Sequence, residues 1–537
     1  MRITGAYAAG VIIPLIASLD TVLAFGPQAH SHNNKRQLPQ EPRDVQTITT
    51  SSGALVRYKE PGKSGICETT PGVNSYSGFI DTSPTLHTFF WFFESRNDPG
   101  NDPITVWING GPGSDSLVGV FAGFGPCSIT EDGTTEINPL SWNNISNVLY
   151  ISQPVGTGFS YADLQEGSID EASGQFLSAD LANATGIWPV VNETTVIDTS
   201  EEAAAAAWDI VQAFYSALPT LNPKIKSKEF HLWTVSYGGH YGPAWMKHFK
   251  DQNDEIAAGN ADGIELDLKS LGLGNAYIDL PTQAPFYPIF ATNNSYGIAA
   301  YNSSVYDYVQ LALNFPNTGC LTQVANCHAL QEALPRNAIR DAVCSEAWDM
   351  CFDNGEGPYR AATELDRFDI RLNASESPFL KADEVLSVYL NQAEVQDAIG
   401  VASNYTPEAN PVTYAFFQSG DGALGGFKEA IGELVDAGVS VLLFNGDADY
   451  ACNWLGGEAV SLAINYTGAA EFAAAEYEPF VVDGKEYGQA RQKDNFAFLR
   501  VYEAGHMVQY YQPFAMLEFF NRTIQGLDLA TGLKNVQ

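Results

Sequence analysis

Short apolar runs separated by loop-forming residues recur along much of the chain. Six of these runs are rich in Phe, Trp, Val and Ile and end in polar or glycine-rich segments, a pattern typical of buried strands. They cover residues 86–94, 104–108, 148–151, 230–235, 439–444 and 496–502. We therefore predict six strands of a buried sheet.

Helical patterns lie between these strands. The segment Thr199 to Glu202 has the signature of a capping box. The apolar residues after it fall on one helical face: Ala203, Ala206, Ala207, Ile210, Val211 and Phe214. A second helix is expected to run through Phe249. This alternation predicts an α/β fold, with a mostly parallel sheet covered by helices on both faces.

The alternation stops between residues 279 and 410. Four cysteines stand close together there, with several prolines and the aromatic and polar stretch 296–308. We interpret residues 279–410 as an inserted lid held by disulfides. The flanking segments 45–278 and 411–537 are then two parts of one α/β core domain.

The overall composition narrows the possible partners. With 537 residues, 45% of them hydrophobic, the chain has enough apolar surface for a folded core. It carries 63 Asp and Glu against 27 Lys and Arg, for a net charge of −36. Such a charge repels phosphate backbones and anionic lipids, so we expect no nucleic-acid partner and no membrane docking. No CxxC motif is present, and we expect neither a metal nor a cofactor.

The N-terminus is typical of a secreted protein. Residues 1–24 combine a basic start, an apolar run and Val22-Leu23-Ala24, and are predicted to be a signal peptide. Residues 25–44 contain three prolines and a dibasic pair, and are predicted to be a pro-segment or a disordered N-terminus. No later stretch is long and apolar enough to span a bilayer. We expect a secreted, extracellular protein, or alternatively a vacuolar one.

Sequons and cysteines agree with secretion. Nine N-x-S/T sequons are candidate glycosylation sites: Asn144, Asn183, Asn192, Asn293, Asn302, Asn373, Asn404, Asn465 and Asn521. Six of the seven cysteines can form disulfides with one another: Cys67, Cys127, Cys320, Cys327, Cys344 and Cys351. This leaves Cys452 unpaired. The four in the insertion allow three pairings, and their spacing does not choose among them.

Ser236 stands at a predicted sharp turn between a strand and a helix. At such a turn the serine Oγ is exposed at the sheet edge, and the next backbone N–H points toward an oxyanion. Thr234 replaces the first glycine of the G-x-S-x-G motif. The motif alone therefore does not separate a nucleophile from an ordinary loop serine.

His506 is the histidine best placed to be a general base, because it follows a predicted strand in a glycine loop downstream of Ser236. The other seven lie in the pro-segment, inside strands, on the helix after Ser236 or in the insertion: His30, His32, His87, His231, His240, His248 and His328. The orienting acid should follow the strand 439–444, where Asp447 and Asp449 are both candidates. Spacing does not choose between them.

A glycine-rich turn, residues 109–113, directly follows the strand 104–108. Glycines allow backbone N–H groups to approach a substrate oxygen closely, as an oxyanion hole requires. The competing interpretation is a phosphate-binding loop. It is disfavoured because the turn lacks the Walker lysine and the chain is acidic.

These motifs together resemble the secreted serine carboxypeptidases, particularly the fungal ones. The matching blocks stand in the family's order over nearly the whole mature chain: 109–113, 119–121, 138–143, 153–161, 236–241, 389–391, 395–396, 445–449 and 505–508. The resemblance implies an α/β-hydrolase fold with Ser236 as nucleophile, His506 as base and Asp449 as its orienting acid. It also implies an oxyanion hole formed by the backbone N–H groups of Gly111 and Tyr237.

The resemblance further implies a nested disulfide pattern: Cys320 with Cys351, Cys327 with Cys344, and Cys67 with Cys127. Cys452 resembles the family's unpaired cysteine close to the active site. Asn109 and the backbone of Gly110 are the remaining members of the set that holds the substrate's terminal carboxylate.

The sequence also departs from the family. Two glutamates that usually hold the terminal carboxylate are replaced by Val235 and Gly123. Further differences are Ser152 for an aspartate, Ser114-Asp115 for a Cys-Ser pair, and Gln509 for a proline.

The triad is complete in spite of these differences. We therefore expect a serine carboxypeptidase that releases C-terminal residues from peptides through an acyl-enzyme. The alternative is an esterase, amidase or acyltransferase acting on a small-molecule acyl substrate, for which an apolar wall at Val235 and an open pocket at Gly123 would be suitable. A third reading is a binding protein that keeps the fold without catalysis. The oligomeric state stays open.

Overall fold

The structure is a computed structural model that describes residues 38–170, 176–179, 186–191 and 195–536. The predicted signal peptide, His30, His32, and the sequons at Asn183 and Asn192 lie outside these residues. The strands are β1 Gln46–Thr49, β2 Leu55–Lys59, β3 Ser75–Ser83, β4 Leu86–Phe93, β5 Ile104–Ile108, β6 Cys127–Ile129, β7 Thr135–Ile137, β8 Asn147–Ile151, β9 Asp163–Ile169, β10 Phe176–Ser178, β11 Gly186–Val190, β12 Glu229–Val235, β13 Asp267–Gly274, β14 Ser440–Gly446, β15 Glu478–Val482, β16 Lys485–Lys493 and β17 Phe496–Val501.

The α-helices are α1 Val118–Phe121, α2 Ser200–Leu221, α3 Gly238–Ala257, α4 Leu280–Gln283, α5 Phe286–Thr292, α6 Ser303–Asn314, α7 Cys320–Ala333, α8 Ala338–Cys351, α9 Gly357–Ala362, α10 Pro378–Leu390, α11 Ala393–Ile399, α12 Asn410–Ser419, α13 Phe427–Asp436, α14 Trp454–Ala463, α15 Ala469–Ala474, α16 Val508–Tyr511 and α17 Pro513–Ile524. Among the described residues, no helix combines the length and the apolar character needed to cross a bilayer.

Twelve strands form one mixed sheet. Its order is β1-β2-β3-β4-β8-β5-β12-β13-β14-β17-β16-β15. The six central strands from β8 to β17 run parallel, and the strands on both sides of them pair antiparallel. The expectation of a mostly parallel sheet therefore holds for the centre alone. The outer pairs β3–β4, β15–β16 and β16–β17 are short hairpins, which pair antiparallel strands, whereas parallel neighbours need crossovers.

The alternation of side chains along the central strands separates two cores. On β12, Leu232 packs with α2 and α3 in one cluster, while Trp233 packs with α17 in the other. On β14, Leu443 and Phe444 divide in the same way. Both faces of the sheet are thus covered by helices, as the pattern predicts for an α/β fold.

The helix before the predicted nucleophile begins at the predicted cap. Thr199 accepts a hydrogen bond from the Glu202 backbone N–H at 3.2 Å, and α2 then extends over 22 residues. Its buried face includes Ala203, Val211 and Phe214. This helix packs against α3, which follows Ser236.

The segment 279–410 contains helices α4 to α11 and the start of α12, and none of its described residues belongs to a named strand. Helices α7 and α8 form a hairpin closed by the disulfides Cys320–Cys351 and Cys327–Cys344. A third disulfide joins Cys67 to Cys127, and Cys452 is free. This is the pairing that the resemblance implies.

The sequons differ in exposure. Asn293, Asn302, Asn373 and Asn465 are exposed, and Asn144 and Asn521 are partly exposed. Asn404 is buried: its side chain accepts a hydrogen bond from the Ile187 N–H at 2.8 Å and donates one to Asn391 at 3.1 Å. A glycan is attached through Nδ2, the atom that donates to Asn391, so the buried position disfavours glycosylation of Asn404.

Candidate active site

Three of the predicted residues follow neighbouring parallel strands. Ser236 comes directly after β12, Asp449 follows β14, and His506 follows β17. The carboxyl ends of parallel strands meet at one edge of a sheet, where α/β proteins place their sites. Ser236 has φ of 63°, in the left-handed region, as a sharp turn between strand and helix requires. Its N–H donates to the Gly274 carbonyl at the end of β13.

A buried hydrogen bond joins His506 to Asp449. The His506 Nδ1 lies 2.7 Å from the Asp449 Oδ2, and Asp449 is completely buried. The His506 backbone N–H donates to the Phe368 carbonyl at 2.8 Å, and the two rings lie 4.7 Å apart. The imidazole is therefore held on its Nδ1 side by a carboxylate and against an aromatic ring from the insertion.

The tertiary structure distinguishes the two candidate aspartates. Asp447 accepts hydrogen bonds from the Arg500 guanidinium at 3.1 Å, from the Glu503 backbone N–H at 2.9 Å and from the Tyr296 hydroxyl. These partners tie the end of β14 to the end of β17 and to Tyr296 of the segment 279–410. Of the two aspartates, Asp449 contacts the imidazole of His506. Asp447 instead stabilises the loop that carries His506, through the Glu503 N–H.

Asn275 is a residue of the site that the sequence reasoning missed. Its Nδ2 donates to the Asp449 Oδ2 at 2.8 Å, and its Oδ1 accepts from the Gly446 N–H at 3.1 Å. Asn275 follows β13, a strand that the apolar pattern did not predict. The signal that could have found it is an amide side chain directly after a central strand.

The glycine turn after β5 packs directly on the turn at Ser236. A Cβ added to Gly110 would lie 2.4 Å from the Tyr237 backbone nitrogen, a distance that real Cβ atoms do not reach. Only glycine therefore allows the two loops to meet. This contact places the backbone of Gly110 and Gly111 beside the N–H of Tyr237, where two donors could face one oxygen.

Asn109 and Val235 flank these loops. Asn109 is 2% exposed, and its Oδ1 accepts a hydrogen bond from the Trp107 indole at 2.9 Å. Val235 is 3% exposed and packs in the apolar cluster around Trp233. The Val235 side chain, at a position where the resemblance leads one to expect a glutamate, is thus part of the core.

The expectation of an open pocket at Gly123 is wrong. A Cβ on Gly123 would lie 2.2 Å from the Gln509 carbonyl oxygen and 3.0 Å from Pro513. The backbone of α16 fills the space that a larger residue at position 123 would need. Gly123 and Gln509 both differ from the family pattern, and they contact each other.

Two further departures also form one local environment. Asp115 is completely buried. Burial raises the pKa of Asp115 to about 6, although the nearby hydroxyl groups of Ser152 and Tyr405 act in the opposite direction. The Asp115 carboxyl group and the Ser152 hydroxyl thus lie close to each other inside the protein.

Cys452 lies close to the His506–Asp449 pair. Its backbone N–H donates to the Asp449 Oδ2 at 3.2 Å, and burial, with the charge of Asp449, raises the pKa of its thiol. Asp449, Cys452 and His506 can place three ligand atoms within 4.8 Å of one another. A metal bound there would compete for the atoms that join His506 to Asp449.

A small apolar cavity lies beside His506. Its lining includes Phe368 and Phe379 from the insertion, together with Met507, Tyr510 and Tyr511. The insertion therefore forms one wall next to the predicted base.

The chain matches known proteins over most of its length. The family model of serine carboxypeptidases matches residues 61–526. The chain is 37% identical to Carboxypeptidase S1 homolog B of Arthroderma otae, over 94% of this chain and 81% of that protein. It is also 37% identical to Carboxypeptidase S1 of Penicillium janthinellum, over 86% of this chain and 97% of that protein.

A solved structure supports the fold. The prohormone-processing carboxypeptidase Kex1Δp of Saccharomyces cerevisiae superposes with a TM-score of 0.63 at 21% identity, covering 88% of this chain and 96% of that one. The strand ends that carry Ser236, Asp449 and His506 thus belong to a known α/β-hydrolase architecture. Together with the family match, this assigns the chain to the serine carboxypeptidase family, as a serine-type hydrolase.

Proposed function

We propose that the protein releases C-terminal residues from peptides, with Ser236 as nucleophile, His506 as general base and Asp449 as the acid that orients His506. The observation that carries this proposal is the buried 2.7 Å contact between His506 and Asp449. A carboxylate on Nδ1 keeps the proton there and leaves Nε2 free to accept the serine proton.

The reaction then follows from the groups present. The Ser236 Oγ attacks the scissile carbonyl while His506 takes its proton. The N–H groups of Gly111 and Tyr237 stabilise the oxyanion. His506 next gives its proton to the leaving amine, which departs as the free C-terminal residue. Water, deprotonated by His506, hydrolyses the acyl-enzyme and restores Ser236.

Recognition of the substrate's terminal carboxylate is proposed to rest on Asn109 and the Gly110 backbone. Both lie beside the turn that carries Ser236. Positions 235 and 123 offer no acidic side chain. Asn109 and the Gly110 backbone therefore have to bind the substrate carboxylate without the help of a protonated carboxyl group. Each charge-assisted hydrogen bond is worth about 1.5 to 3 kcal/mol, so two lost contacts would weaken this recognition substantially.

A second candidate function is supported by the same two positions. With Val235 in the core and the space at Gly123 filled by Gln509, neither of these two positions supplies an acidic side chain that would select a free carboxylate. An esterase, amidase or acyltransferase acting on a small acyl substrate would use the same triad.

We further propose that the chain enters the secretory pathway and acts outside the cell or in the vacuole. Three disulfides and four exposed sequons support an oxidising, glycosylating compartment. Residues 279–410 are proposed to act as the lid of the site.

A fluorophosphonate probe tests the catalytic assignment. The wild type should be labelled, and Ser236→Ala should not be. His506→Ala should lower turnover by several orders of magnitude. His248→Ala, on the half-buried side of α3, is the matched control and should retain activity. A wild type that is not labelled at any pH from 4 to 8 would contradict the proposed enzyme.

A further inference from the structure

We propose that Asp421 is a positioning residue for the oxyanion hole, acting through the side chain of Tyr237. The proposal rests on the proposed function, since it concerns the Tyr237 N–H as an oxyanion donor. Asp421 lies in a short turn between α12 and α13, outside the groups that touch a substrate. Its role is to fix the direction of a backbone N–H that does.

The first step is the environment of the Asp421 carboxylate. Asp421 is completely buried, and its Oδ2 accepts a hydrogen bond from the Tyr237 hydroxyl at 2.6 Å. Ser200 donates twice, from its N–H to Oδ1 at 2.9 Å and from its hydroxyl to Oδ2 at 2.6 Å. The His240 Nδ1 lies 3.5 Å from the same Oδ2. One carboxylate thus joins the start of α2, the residue after the nucleophile and the first turn of α3.

The second step is the charge of this carboxylate. Burial alone would raise the pKa of Asp421. The neighbouring His240 imidazole, with hydrogen bonds from Ser200 and Tyr237, outweighs the effect of burial and lowers the pKa of Asp421. Ser200 is also the first residue of the 22-residue helix α2, whose N-terminus favours a negative charge. An ionised acceptor makes the bond from Tyr237 a charge-assisted one, which is stronger than a neutral bond.

The third step is the Tyr237 ring, which is fixed on several sides. It contacts the rings of His240 at 4.8 Å, Tyr241 at 5.5 Å and Phe416 at 5.9 Å. The carboxylate fixes the hydroxyl end of the ring. Because both the hydroxyl and the ring of Tyr237 are held in place, the backbone at its Cα has little freedom to move. The N–H of this residue is the proposed oxyanion donor.

The fourth step is the anchoring of Asp421 itself. The turn that carries it is bound to the disulfide-closed hairpin: His328 of α7 lies 3.0 Å from the Ala423 carbonyl through its Nε2. The Tyr277 hydroxyl donates to the Gly422 carbonyl at 3.3 Å. Because the turn is held from both sides, Asp421 cannot follow Tyr237 if the ring moves. The position of the Tyr237 N–H is therefore fixed by contacts with the insertion as well as by the sheet.

Two conservative variants test this role. Tyr237→Phe removes the hydroxyl and keeps the ring and the backbone N–H. Asp421→Asn keeps the shape and removes the charge. The matched control is Tyr241→Phe, because Tyr241 is also buried, lies in the first turn of α3 directly after Tyr237, and has a hydroxyl without a hydrogen-bond partner among the described residues.

The readouts are kcat, KM and the affinity of a peptide boronic acid, whose adduct with Ser236 places an oxygen in the oxyanion hole. For Tyr237→Phe we expect kcat and boronate affinity to fall together by about 10- to 100-fold, with KM changed by less than about threefold. Asp421→Asn should act in the same direction, and Tyr241→Phe should change none of the three by more than about twofold.

If Tyr237→Phe had the same kcat and boronate affinity as the wild type, the proposal would be overturned. This holds even if the melting temperature of the variant fell, because the hydrogen-bond network would then contribute to stability only. A variant that fails to fold is identified by circular dichroism, and the other variant then decides. Failure of the proposed function would be recognised separately. If the wild type were not labelled by the fluorophosphonate, the proposed catalytic function would be contradicted, whatever the role of Asp421.

Discussion

Asn275 donates a hydrogen bond of 2.8 Å to the Oδ2 of Asp449, the same atom that lies 2.7 Å from the His506 Nδ1. The Cys452 N–H approaches this oxygen as well, at 3.2 Å. Three donors therefore converge on one buried oxygen. Such an arrangement fixes the carboxylate plane and, through it, the orientation of the imidazole.

The first prediction concerns Asn275. Asn275→Ala should lower kcat by about tenfold and leave KM nearly unchanged, because the carboxylate loses a partner that does not touch the substrate. Asn253→Ala is a suitable control, since Asn253 also binds a neighbouring loop, through Leu266, but lies at the far end of α3. Equal kcat values in Asn275→Ala and wild type would show that the Asp449 carboxylate does not need the hydrogen bond from Asn275.

The second prediction concerns pH and stability. The pKa of Asp115 is about 6 in the folded protein against an ordinary value of 3.8. Between these values Asp115 binds more protons in the folded than in the unfolded state, so its contribution to stability is most favourable below about pH 4 and is lost as the pH rises to about 6. The shift corresponds to about 3 kcal/mol.

Urea unfolding at pH 4 and pH 7 measures this effect. Asp115→Asn, which cannot ionise, should reduce the loss of unfolding free energy between the two pH values by up to about 3 kcal/mol. The wild type serves as the comparison under identical conditions. An unchanged pH dependence in the variant would mean that Asp115 does not contribute to it.

The third prediction concerns Gly123. Gly123→Ala should destabilise the protein and lower kcat, because the new methyl group meets the Gln509 carbonyl oxygen, three residues after His506. Gly355→Ala is the control: its Cβ would lie 3.5 Å from Leu313, an ordinary contact. Melting temperature and kcat should both fall in the first variant and change little in the second. A stable, fully active Gly123→Ala would indicate that α16 shifts easily.

The fourth prediction concerns substrate preference. Because neither position 235 nor position 123 supplies a titrating acid, the preference for a free C-terminus should not strengthen at acid pH, as it would with a protonated carboxyl group that binds the substrate carboxylate. A matched pair of peptides with free and amidated C-termini should show similar kcat/KM values from pH 4 to 8. A strong preference for the free acid at low pH would show that other groups hold the carboxylate.

The sequence by itself determined five of the six central strands and the candidate residues at their carboxyl ends. Apolar runs found β5 at its observed ends and located the other strands that carry Ser236, Asp447, Asp449 and His506. These features are local: strand formation and turn chemistry depend on residues close together in the chain. Ser236 and His506 were identified because each follows such a strand, and that information is contained in one short segment.

Only the tertiary structure decided what depends on contacts between distant segments. Strand β13 escaped prediction because Gly272 interrupts its apolar pattern, yet a Cβ there would lie 2.2 Å from the Trp233 ring of the neighbouring strand. The assignment of Asp449 rather than Asp447, the role of Asn275 and the closed space at Gly123 have the same origin. Each is set by a neighbour that is remote in sequence, and local propensity carries no information about that neighbour.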